Sequence, residues 1–140
     1  MATEFDPGKF GAILAIPFTK TNMTTGAANE DLTFAGGALP YFVAPGAGSV
    51  IGISANCAAV TGGTITLKPH SASTEFTDTG IPTTVLSSTA DTNGAYATVR
   101  PGALTFAAGA TLGISATTTT TLDPTNTLDV DAVLFIQLNP

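Results

Sequence analysis

Glycine, proline and runs of threonine break this chain so often that no window keeps a helical period. All three are weak helix formers, through backbone entropy, a missing N–H and crowding at χ1 respectively. Short apolar or alternating runs recur instead, set between turn residues, and that pattern reads as all-β. In order they are GAILAIPF at 11–18, LTF at 32–34, ALPYFVA at 38–44, SVIGISAN at 49–56 and GGTITLKP at 62–69. IPTTVLSS at 81–88, AYATVR at 95–100, LTF at 104–106, TLGISATT at 111–118 and DVDAVLFIQL at 129–138 complete the set. In GGTITLKP, Ile65 and Leu67 fall on one face and Thr64, Thr66 and Lys68 on the other. Pro40 marks a strand start or an edge, and Asn93-Gly94 marks a tight hairpin turn. Roughly eight strands at this spacing predict a single-domain antiparallel β-sandwich of jelly-roll type. The predicted layout is a flexible N-terminal arm at 1–10 and a sandwich domain at 11–140, with the threonine-rich loop at 19–30 also loose.

One phrase occurs twice: VIGISAN at 50–56 and TLGISAT at 111–117. A duplicated binding site would repeat polar chemistry, and these copies share only Ser54 and Ser115. They read as two equivalent strand–turn–strand units, hairpin-like, as the paired Greek keys of a jelly roll would give. Gly52 and Gly113, each between larger apolar residues, mark either a bend or bulge or a place where something packs close to the backbone.

Composition removes several functional classes. Only 10% of the 140 residues are charged and the net charge is −6. Lys9, Lys20, Lys68 and Arg100 are spread along the chain and form no basic patch, which argues against a nucleic-acid or polybasic membrane-surface partner. Mean hydropathy is +0.36, yet no apolar run approaches the ~20 residues of a spanning helix. MATEFDPGKF lacks the basic and apolar regions of a secretory signal. Low charge with many small residues fits burial of surface against partner subunits.

Candidate chemistry is sparse. Cys57, the only cysteine, has no activating charge near it in sequence and reads as a small core residue. His70, the only histidine, follows Pro69 and is expected to be a solvated imidazole at a strand end. There is no nucleophile-elbow motif beside it. Asp91, Asn93 and Gly94 begin like a calcium loop but lack its downstream acid, and read as an Asp-initiated hairpin turn. Asp123, Asp129 and Asp131 are the remaining acidic candidates. Asp129 and Asp131 share a strand face, solvent-facing with Val130 and Ala132 inward, or else meeting a metal between subunits. No cofactor, resident metal or catalytic activity is expected. Only two tyrosines and no tryptophan also argue against a sugar-stacking platform.

TFAAGATLGIS at 105–115 and LDPTNTLDVDAVLFIQL at 122–138 carry a resemblance. From residue 48 onward the chain resembles a β-sandwich domain of tailed-bacteriophage structural proteins, of the capsid decoration (cement) and head-fibre kinds. It departs from that pattern at Ala110, where an acid is common, and in the threonine run at 117–121. The resemblance implies a virion structural protein that binds the outside of the phage head as a homotrimer, with the major capsid protein as partner. It implies assembly in the host cytoplasm and brings no catalytic residues. Phe5, Pro7 and Phe10 on the arm are the candidate contacts to capsid or neighbouring subunit. The alternative is a receptor- or glycan-binding fibre module, with its site built from loops 19–30, 70–80 and 117–127.

Overall fold

The computed structural model describes residues 11–35, 37–57, 60–71, 74–75, 84–87 and 94–140. Phe5, Pro7, Phe10, Asp91 and Asn93 therefore lie outside the described residues. No described residue is helical. The strands are β1 (Ile13–Lys20), β2 (Glu30–Asp31), β3 (Thr33–Phe34), β4 (Phe42–Val43), β5 (Gly48–Cys57) and β6 (Thr64–Ser71). They continue with β7 (Thr74–Glu75), β8 (Thr84–Ser87), β9 (Gly94–Thr98), β10 (Leu104–Phe106), β11 (Thr111–Thr118) and β12 (Val130–Leu138). Short segments share ladder positions. β9 and β10 lie end to end beside β5, β2 and β4 beside β11, and β7 and β8 beside β6. The first sheet thus reads β9/β10, β5, β12, β1, with β3 outside β1, and the second reads β2/β4, β11, β6, β7/β8. All pairings are antiparallel, and the eight positions form the two-sheet jelly roll expected from the run spacing.

The alternating runs explain the layering. Ile65 and Leu67 on β6, Leu112, Ile114 and Ala116 on β11, and Val130, Ala132, Leu134 and Ile136 on β12 are all buried between the sheets. Fully burying a chain of this kind contributes about 1.5–3 kcal/mol, so the register that keeps these residues inward outweighs any single edge contact. One departure from alternation matters. Across β5 and β12, Gly52 faces Phe135 and Val50 faces Ile136, leaving Ile51 as an extra residue in a bulge. Strict alternation would put Val50 and Ile53 on opposite faces. The bulge turns both inward, where they are 0% and 1% exposed. The Ile51 carbonyl accepts the Val99 N–H at 3.0 Å.

The two copies of the repeated phrase are β5 and β11, one in each sheet. The expected hairpin units do not form. β5 does not pair with β6, the strand that follows it, but with β12, the strand that follows the second copy. β11 in turn pairs with β6. Each half supplies the ladder partner of the other, an exchange that puts one copy at the centre of each sheet. β8 and β9, the described strands on either side of Asn93, likewise lie in different sheets, and the turn expected at Asn93 falls outside the described residues.

The glycines of the phrase sit opposite rings: Gly52 faces Phe135 and Gly113 faces His70. A methyl carbon on Gly52 would stand 3.7 Å from Phe135 Cδ2 and 3.2 Å from the Ala97 carbonyl oxygen. One on Gly113 would stand 2.5 Å from His70 Cε1 and 2.7 Å from the Pro40 carbonyl oxygen. The missing side chain is what lets the imidazole lie down on β11. His70 is therefore buried at 6% exposure and not the solvated strand-end residue expected. The strand runs on through Pro69 to Ser71 because β8 faces residues 64–67 and β7 faces residues 70–71, so the missing Pro69 N–H meets no described neighbour on that edge.

Gly113→Ala is expected to cost about 1–3 kcal/mol through overpacking. Gly52→Ala should stay within about 1 kcal/mol, because a small shift is offset by lower unfolded-state entropy. Urea midpoints measure both, and adding His70→Ala to the Gly113 variant should recover part of its loss. Equal destabilisation by the two glycine changes would contradict this packing.

Candidate functional site

One end of the sandwich is built from loops 21–29 and 119–129, which fall largely within the segments 19–30 and 117–127 singled out in the sequence. Threonine hydroxyls and asparagine amides zip them together. Thr118 Oγ1 accepts the Ala27 N–H at 2.8 Å and donates to the Thr24 carbonyl. Asn126 Oδ1 accepts the Thr25 N–H at 2.8 Å, and Asp129 Oδ1 accepts the Asn22 N–H at 2.9 Å. The Met23 N–H donates to the Leu128 carbonyl at 2.7 Å, and Met23 itself is buried. The 19–30 segment, expected to be loose, is thus tied down, because its backbone donors find side-chain acceptors a hundred residues away. The threonine run at 117–121 is the other half of that lock.

The same end holds an ion pair that joins the sheets. Lys20 Nζ at the end of β1 lies 3.0 Å from Glu30 Oε1 on β2. The Thr24 hydroxyl donates to Oε1 at 3.0 Å and its N–H to Oε2 at 3.2 Å. Burial of the Glu30 carboxyl works against its charge, but Lys20 and both Thr24 donors outweigh it and hold its pKa below the usual carboxylate value. Just beyond, the chain passes from one sheet to the other. Glu30 and Asp31 pair with β11, the Leu32 N–H donates to the Ile114 carbonyl, and Thr33 and Phe34 pair with β1. Phe34 sits between Phe18 and Phe42, with ring centroids 6.0 and 5.5 Å away in tilted geometry.

The outer face of the second sheet is polar. His70 Nε2 reaches across Gly113 to within 3.3 Å of Asp31 Oδ1. The contact links β6 to β2 over the strand between them, and Asp31 remains half-exposed. Ser115, the serine of the second copy, lies between Asp31 and Lys68 in the ladder and is buried. Nothing in its spacing marked Asp31 as a partner of His70, since the pairing needs both the register and the glycine gap.

The outer face of the first sheet is its opposite in character. Ile13 and Tyr96 stand 62% and 81% exposed on it. Ala15, Pro17, Val133 and Phe135 share that face, and Asp131 is the only charged side chain among its described residues. Two shallow troughs of about 370 and 320 Å³ flank Asp131 and Val133. Neither gathers several titratable groups.

The acidic candidates are dispersed. Asp129 and Asp131 are exposed with Val130 and Ala132 inward, as the two-residue period requires. Asp129 is taken up by Asn22, whereas Asp123 accepts the Thr61 hydroxyl. Among the described residues no three His, Cys, Asp or Glu side chains come together as a metal site. Cys57 is half-buried at the end of β5, opposite Val130, and burial pushes its thiol pKa up, which suits packing and not nucleophilic attack. Of the three loops proposed for glycan binding, 19–30 and 117–127 share one end. Most of 70–80 lies outside the described residues, and its start at the end of β6 faces the start of β11, roughly 20 Å away along the strand.

No family model matches this chain, and no curated protein sequence matches it. A chain of the solved cyanophage Pam1 capsid asymmetric unit is similar in fold, with a TM-score of 0.55 at 15% sequence identity. The likeness covers 99% of this chain and 92% of that one.

Because its pKa is lowered on folding, Glu30 contributes stability above its unfolded pKa of about 4.3 and loses it as pH falls through the folded value. Glu30→Gln should therefore be less stable at neutral pH, by no more than about 1 kcal/mol for so exposed a pair. Urea unfolding at several pH values should show the two proteins converging in acid. A constant gap down to pH values well below the carboxylate range would show that the ion pair is not its source.

Proposed function

We propose that this protein is a virion structural protein, a decoration (cement) protein that binds the outside of a phage head as a homotrimer. The observation that carries the reading is the fold shared end to end with a chain of a cyanophage capsid. Two surface properties support it. The first sheet offers a broad outer face nearly free of charge, suited to packing against flat neighbouring protein. The loops at one end are locked by side-chain hydrogen bonds, so docking there would cost little loop ordering.

In this reading the protein acts by binding and not by catalysis. A cement protein stabilises the assembled shell because it binds that state and not the free subunits, through ordinary linkage. The major capsid protein is its partner, and Phe5, Pro7 and Phe10 supply apolar contacts along residues 1–10. The net charge of −6 and the four spread-out basic residues favour a protein surface over nucleic acid as its partner.

Cryo-microscopy of the purified virion is the direct test, with the jelly roll expected in trimers on the outer surface of the head. Removing residues 1–10 should lower occupancy on shells while the sandwich stays folded by circular dichroism. Absence from the virion, or a lasting monomer by light scattering at micromolar concentration, would overturn the proposal.

A further inference from the structure

Among the described residues, β1 has one edge that is only partly covered. The Leu138 N–H donates to the Ala12 carbonyl, so the even-numbered residues of this stretch turn their backbone groups toward β12. The odd-numbered residues turn theirs the other way. Pro17 and Thr19 accordingly give their carbonyls to the Ala35 N–H and the Thr33 hydroxyl on the β3 side. Ile13 and Ala15 have no such neighbour among the described residues, for β3 faces only Phe18 and Thr19 of this strand. Their N–H and C=O groups line a bare edge whose side chains are exposed, Ile13 at 62%. Native proteins blunt such edges with charge, proline or a covering segment. Here residues 11–19 carry no charge, and the strand's proline, Pro17, stands only where β3 already arrives.

We infer that this edge pairs with the same edge of a second copy, antiparallel, across a two-fold axis at Leu14. That axis sets Ile13 opposite Ala15 of the second copy and Ala15 opposite its Ile13. Both residues of each pair point their backbone groups at the gap, so each pair exchanges two N–H···O bonds. The edge is self-complementary in the sense an isologous contact requires. The neutral strip lets two copies, each of net charge −6, meet without a like charge between them. The pairing continues the first sheet through both molecules and sets their apolar outer faces side by side.

The contact is short. Gly11, at φ 73°, turns the chain at one end, and Ala35 closes the other against Pro17. About five residues remain, roughly 17 Å of strand, which buries less than the ~1,000 Å² of a stable dimer. The association is therefore weak and concentration-dependent, and suited to copies already held close together. Residues 1–10 of a neighbouring copy are the competing occupant, but their Asp-Pro-Gly run forms strands poorly. The inference rests on strand geometry and does not require the trimer or the capsid.

Sedimentation velocity of the full chain over a wide concentration range is the test. The base unit, monomer or trimer, should double in mass reversibly as concentration rises. Ala15→Pro removes one outward N–H from each copy at a position in phase with Pro17, where β1 already accepts proline. It should weaken the doubling by about tenfold or more while leaving the base unit and the thermal melt unchanged. Ile13→Lys keeps every backbone group and should weaken it too, which decides the matter if the proline variant misfolds. The inference is overturned if no doubling occurs, or if neither variant affects it. It is also overturned if deletion of residues 1–10 alone abolishes doubling, or if the variants break a trimer into monomers.

Discussion

Two long ladders carry the fold, β5 on β12 and β11 on β6, and each joins a strand of one half of the chain to a strand of the other. Every remaining segment but β3, which lies beside β1, pairs directly with one of these four strands. β9 and β10 lie along β5, β2 and β4 along β11, β7 and β8 along β6, and β1 along β12. The flanking segments other than β1 are short, and a two- or three-residue strand has no stability apart from the ladder it joins. The exchange of partners between halves also makes the contacts long-range in sequence, so neither half has a complete core of its own.

The ladders depend in turn on how side chains pass over the backbone. At Gly113 the imidazole of His70 lies across β11 and reaches Asp31, and this links three neighbouring strands through one absent Cβ. At Gly52 the same device is looser, with Phe135 at ordinary contact distance. The difference fits their settings: one ring is buried under polar neighbours, the other is half-exposed on an apolar face. The surfaces then sort by chemistry into a polar outer face, a nearly uncharged one and a loop end locked by threonine hydroxyls. Among the described residues, β1 is the long strand that leaves part of one edge without a ladder partner.

Much of this was legible in the chain. GGTITLKP and DVDAVLFIQL showed their inward and outward faces because alternation is a local property of the strand. Turn residues bounded the runs closely enough to yield the eight ladder positions. The bulge at Ile51 was not legible, since it exists only relative to the register of β12, and it reverses the facing that alternation assigns to Val50. Proline before His70 suggests a strand end, whereas the strand runs on because no described residue pairs with Pro69 on that edge. The loop at 19–30 looked loose because its partners, Thr118, Asn126 and Asp129, are far along the sequence. Of the candidate site, the arm residues Phe5, Pro7 and Phe10 lie outside the described residues, and Asp31 carried no local sign of its pairing.

The sequence by itself determined that the chain would be all-β, where its strands would fall and which side chains would be driven inward, because periodicity and turn chemistry act over a few residues. It also showed that the repeated phrase carries no repeated chemistry. Only the tertiary structure decided which strands pair, that the two copies lie in opposite sheets, and that their glycines make room for rings. Those outcomes depend on register between segments far apart in the chain, and no local pattern encodes register until the sheets close on a shared core.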